Sequence, residues 1–249
     1  MSLKLKINYN LHRIFIGLFL LFFIGQFIFW HKTENIKPDI HVVPPLPSKH
    51  SVAALSFGDP QFYFRVKALA IENAGDSFGR FSALRDYDYA LLYQWFKMLD
   101  GLDDKSSYIP SLAATYYSQT QNPYDTKYLI KYLEEYSSRD VDKYWWWMFQ
   151  AFFMANNSLK DHEWALKLAK KLSLNENVDA PEWSRQLPAF VYKKMGKDCD
   201  AFLFVKKIID DNDSGKKVIA AKEMDFMRLF IKETLERLKE KNFDPKSCK

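Results

Sequence analysis

The sequence predicts an all-α protein in three parts: one N-terminal membrane-spanning helix, a proline-rich linker, and a domain of antiparallel helices. Three observations carry this reading. Ile14 to Trp30 is an unbroken apolar run in which Gln26 is the only strongly polar member. Residues 31–56 hold four prolines and show no apolar periodicity. From Phe57 onward apolar residues recur at helical spacing and strand alternation is missing, with Gly and Pro expected only at segment ends.

The apolar run is as short as a helix can be and still cross a bilayer core of roughly 30 Å. Its C-terminal side reads Gln26-Phe27-Ile28-Phe29-Trp30-His31, with bulky side chains where a signal peptidase needs small ones, so the anchor is expected to stay uncleaved. No cysteine follows it closely, which excludes a lipoprotein-type anchor. Lys4, Lys6 and Arg13 precede the run, whereas Lys32 and Lys37 after it are balanced by Glu34 and Asp39. The positive-inside rule therefore puts residues 1–13 in the cytoplasm and the C-terminal domain outside. In a bacterium this is a single-pass protein of the inner membrane with a periplasmic domain. Residues 31–56, with polyproline character around Val43-Pro44-Pro45-Leu46-Pro47, are expected to be an extended stalk.

The helices of residues 57–249 have physical markers. Asp59-Pro60 is an N-cap followed by proline at the first helical position, starting a helix to about Asn73. Further helices are predicted from Tyr87 to Leu99, Ile109 to Gln121, Tyr124 to Ser137 and Asp140 to Ala155. Ser158-Leu-Lys-Asp161 has the spacing of a capping box for a helix to about Leu172. Asp179-Ala-Pro181 opens the next, which Gly196 ends, and Asp198–Asp210 and Lys217–Lys241 are the last two. The connections are short, so neighbouring helices are mostly antiparallel.

Every second helix repeats one apolar signature. Leu92, Phe96 and Leu99 are followed by Leu129, Leu133 and Tyr136, then by Ala165, Ala169 and Leu172, and in part by Phe202 and Ile209, where Lys206 breaks the middle position. With this spacing, residues 86–211 resemble a tetratricopeptide-type helical array, although the small-residue pair and terminal proline usual in that family are mostly missing. The resemblance implies an α–α superhelix of helix pairs whose first helices line a concave, partner-binding side. The stretch from Gly58-Asp-Pro-Gln-Phe-Tyr-Phe-Arg65 to Tyr117-Ser-Gln-Thr-Gln121 also resembles uncharacterised bacterial membrane-anchored proteins.

The remaining chemistry excludes more than it suggests. Residues 51–249 hold 30 Lys/Arg against 29 Asp/Glu, which gives a nucleic-acid role little electrostatic support. Four of the five histidines precede residue 57, so no metal site or cofactor is expected. His162 stands alone in a helix's first turn, where solvation is expected. The loop Gly75–Asp88 reads as caps and salt bridges, and Glu134-Glu135 and Asp103-Asp104 are adjacent pairs that cannot face one substrate. Cys199 and Cys248 have one possible pairing. Aromatic content of 17% is concentrated in Tyr144–Phe153. On the concave side that the resemblance implies, Tyr117, Trp146 and Gln150 are the expected partner contacts. Together these features point to a non-catalytic protein–protein interaction module, a scaffold or assembly subunit of a bacterial envelope complex. The alternatives are an envelope-polymer hydrolase and a small-ligand-binding helical domain.

Overall fold

The computed structural model describes residues 9–34, 42–77, 80–177, 179–216, 218–241 and 248. Most of the expected cytoplasmic tail and linker residues 35–41 lie outside the described residues. The chain forms two units, residues 1–41 and 42–249.

The first unit contains helix α1 (Tyr9–Thr33). Its 22 residues from His12 to Thr33 are long and apolar enough to cross a membrane. The flanks of the apolar run are helical as well, and Thr33 closes the end by donating its hydroxyl to the Phe29 carbonyl at 2.8 Å.

The second unit begins earlier than the expected stalk allows, because residues 42–56 belong to the folded domain. Val43 is buried in the core and Leu46 packs against it. The Trp95 indole donates to the Pro44 carbonyl at 2.7 Å, satisfying an acceptor that proline-rich backbone cannot pair internally. Ser48 then caps a short helix, α2 (Lys49–Leu55), by accepting from the Ser51 amide. Burying the apolar surface of Val43 and Leu46 is favourable, which is why this stretch docks on the domain instead of extending as a stalk.

The rest of the domain is helical except for a two-residue antiparallel ladder, β1 (Asp76–Ser77) with β2 (Arg80–Phe81). The longer helices are α3 (Pro60–Glu72), α4 (Tyr89–Asp100), α6 (Thr126–Ser137), α7 (Trp145–Phe153), α8 (His162–Ser173), α9 (Trp183–Lys194), α10 (Asp198–Asp213) and α11 (Ala221–Glu240). Short α5 (Tyr108–Ser111) runs into a π-helical turn, Leu112–Tyr116, and α7 into another, Met154–Leu159. From α6 to α11 each helix packs on the next, and α4 packs on α6.

Asp59 caps α3 as its sequence promised, accepting from the Gln61 and Phe62 amides. Gly196, at φ +73°, supplies the left-handed residue that stops α9. The Ser158–Asp161 box does not form. Ser158 falls inside the second π turn, Lys160 is left-handed, and Asp161 itself caps α8 by accepting from the Trp164 amide. Pro188 lies inside α9, against the expectation that proline marks only segment ends. It removes one helical hydrogen bond, a loss that tertiary packing around this buried residue outweighs.

One core joins α3 through α9, and a smaller one joins α9, α10 and α11. The repeated signature is the inner face of the even-numbered helices: its members on α4, α6 and α8 are all buried. On α10 the register starts one residue earlier than expected. Ala201 and Val205 are buried where Phe202 and Lys206 were aligned, which places the cation outside. Cys199 and Cys248 are disulfide-bonded, tying residue 248 to the start of α10. Beside them the buried Asp198 carboxylate meets Arg237 at 3.3 Å and Lys241 at 2.5 Å, clasping the end of α11.

Candidate interaction surface

Tyr117 is not a surface contact. It is fully buried, its hydroxyl donates to the Ile71 carbonyl at 2.6 Å, and the rings of Tyr87, Tyr89 and Phe96 surround it. Burial pushes its pKa far up, as expected of a phenol in an apolar site. The π turn explains the misplacement. An extra residue per turn shifts the helix phase by about 100°, so Tyr117 turns inward and Tyr116 outward.

Trp146 and Gln150 stay at the surface of α7. Trp146 is 45% exposed and Phe153, two turns on, is exposed to the same extent, with half-buried Gln150 between them. The opposite face, Met148, Ala151 and Phe152, is buried. Phe149 links the row to the core by packing against Trp146 at 5.6 Å and Trp183 of α9 at 4.9 Å. The row is thus a supported aromatic ledge with one amide at its middle.

A second exposed apolar surface lies on α3. Tyr63, Phe64, Ala68 and Ile71 face the core, while Phe62, Val66 and Leu69 form a row on the other side and remain about half exposed. At the preceding corner Leu55 is exposed, and Phe57 holds a left-handed backbone (φ +50°) with its ring 84% exposed. A helix apolar on both faces normally lies between two neighbours, and among the described residues α3 has a neighbour on its inner face alone. The sequence carried this signal in Phe62, Val66 and Leu69, spaced i, i+4, i+7. The Asp59-Pro60 cap fixes where this helix starts and says nothing about which of its faces is covered.

The other candidates are structural. In the loop after α3, Tyr87 donates its hydroxyl to the Ala74 carbonyl, and Asp88 caps α4 by accepting from Leu91 at 2.9 Å. A side chain at Gly75 would collide with that Tyr87 hydroxyl, and φ there is +81°. His162 is half-buried, with an unpaired Nδ1, and so is less solvated than expected. Glu134 and Glu135 turn to different partners. Glu135 meets Lys97 at 2.9 Å and accepts from the Tyr93 hydroxyl. Glu134, facing α8, meets Lys167 at 2.9 Å and Lys171 at 2.8 Å and accepts from the Trp164 indole at 2.7 Å. Burial alone would raise its pKa, but these bonds outweigh it and hold the carboxyl at about 2. Among the described residues no group of three or more His, Cys, Asp or Glu could hold a metal ion. Set beside known family models, curated proteins and solved structures, the chain matches none of them.

Proposed function

We propose that this chain is a single-pass inner-membrane protein whose periplasmic helical domain is a non-catalytic docking module of a bacterial envelope complex. The observation that carries the reading is the uncovered apolar row of α3, Phe62, Val66 and Leu69. Exposing it to water is unfavourable by roughly 25 cal/mol per Å², which a protein partner would relieve. The aromatic ledge of Trp146 and Phe153 is a second contact of the type that interfaces favour. The burial of one signature on α4, α6 and α8, continued by Ala201 and Val205 on α10, supports a tetratricopeptide-like array of helix pairs. The N-terminal Lys/Arg excess supports an inside N-terminus, and the disulfide fits an oxidising compartment.

Protease added to spheroplasts tests the orientation: the domain should be degraded while a cytoplasmic control survives. Survival of the domain would overturn the periplasmic assignment. Crosslinking in native membranes tests the docking role. Wild-type chain should yield a discrete adduct with a protein partner, and Val66→Asp should lose it while keeping its melting temperature.

A further inference from the structure

The ends of α8, α9 and α10, with the segment entering α11, enclose a cleft of about 420 Å³. Its apolar lining is Phe204, Ile208 and Ile219, with Leu174 and Val218 at the mouth, 78% and 92% exposed. Its two most buried lining residues are polar, Asn175 and Gln186, and so form its floor.

Both carboxamides are fixed in orientation. Asn175 Oδ1 accepts from the Asn177 amide at 2.7 Å, which leaves Nδ2 as a buried donor without a partner. Gln186 Nε2 donates to Glu223 at 2.9 Å, which leaves Oε1 as a buried acceptor without a partner. Reversing either amide would lose the bond it already makes. The loop is held rigid around them, since Arg185 donates to the Asn175 and Asn177 carbonyls. Of the cleft's charges, Glu182 pairs with Arg185 and Asp211 with Lys216, and the two left without an ion partner among the described residues, Glu176 and Lys207, are of opposite sign.

One unmet donor and one unmet acceptor beneath apolar walls match a particular chemistry. A purely apolar ligand would leave both unsatisfied, and the two unpaired charges at the cleft, one of each sign, favour no net ligand charge. An extended residue turns its own carbonyl and its own N–H to the same side, the one for the donor and the other for the acceptor. We propose that the cleft binds an extended peptide segment of a protein ligand. The side chain of one apolar residue sits against Phe204 and Ile208, and that residue's own carbonyl and N–H are read by Asn175 and Gln186 after small side-chain rotations. The site lies on α8–α10 and does not involve α3, so its failure leaves the docking role of α3 standing, and the reverse holds.

Saturation-transfer NMR on the full chain in lipid nanodiscs tests this, with N-acetyl-L-leucine N-methylamide as the probe. The depsipeptide analogue, in which an ester oxygen replaces the leucine N–H meant for Gln186, is the comparison ligand. The amide should transfer signal to its leucine methyls and bind about tenfold more tightly than the ester. Val218→Arg, at an exposed position that folding tolerates, should abolish the signal. Asn175→Asp keeps the bond to Asn177 but replaces the free donor, and should weaken binding about tenfold. Equal binding of amide and ester would overturn peptide recognition, as would absence of binding or a signal unaffected by Val218→Arg. If Asn175→Asp unfolds, the ester comparison and Val218→Arg still decide.

Discussion

Replacing Glu134 by glutamine removes one charge from the contact between α6 and α8 while preserving shape and an acceptor for the Trp164 indole. The carboxylate is only 12% exposed and has Lys167 and Lys171 within 3 Å. A carboxyl held at about 2 instead of its ordinary 4.5 corresponds to roughly 3 kcal/mol of folding free energy. Both ammonium groups are partly solvated, so screening reduces the expected loss to about 2 kcal/mol at pH 7. The sign follows from the depressed value. The contribution is complete above pH 4.5 and disappears as pH falls toward 2, where the folded state binds the proton too. Urea melts of both proteins, followed by tryptophan fluorescence, should show a gap of about 2 kcal/mol at pH 7 that narrows steadily below pH 4.5. A gap below about 0.5 kcal/mol, or one independent of pH, would refute the ionic role of Glu134.

Other substitutions separate core from surface. Tyr117→Phe should cost about 1–2 kcal/mol through the lost bond to Ile71, and Tyr117→Ala about 3–5 kcal/mol; thermal melts showing no effect would remove Tyr117 from the core. Trp146→Ala should lower stability by no more than about 1 kcal/mol, since the ring is nearly half exposed, and a larger drop would make Trp146 a packing residue. Cys199→Ser should cost about 2–4 kcal/mol by releasing the closure of residues 199–248, and identical melts with and without reductant would mean the bond is not formed in the protein.

Much of the fold was legible because its signals are local. Asp59 before Pro60 and Gly196 after α9 each act within a few residues, and each stands where its chemistry predicts. The buried rows of α4, α6 and α8 were legible for the same reason, as a period needs only spacing. What failed depended on distant partners or extra turns. Nothing near Pro44 announces Trp95, 51 residues away in sequence, so the docked segment reads as stalk. Nothing in Leu112–Tyr116 announces a π turn, so the pair Tyr116-Tyr117 does not show in the sequence which ring faces out. The α3 row was visible but ambiguous, because spacing alone cannot tell a face covered by the chain from one left for a partner.

The docking role is tested most directly by site-specific photo-crosslinking from α3 in native membranes. A photoreactive residue replacing Leu69, on the uncovered row, should give one discrete higher-mass adduct, as should one replacing Phe62. The same residue at Lys67, half-buried and away from that row, should give none. Equal adducts at all three positions, or none at Leu69 and Phe62, would contradict a protein partner on α3.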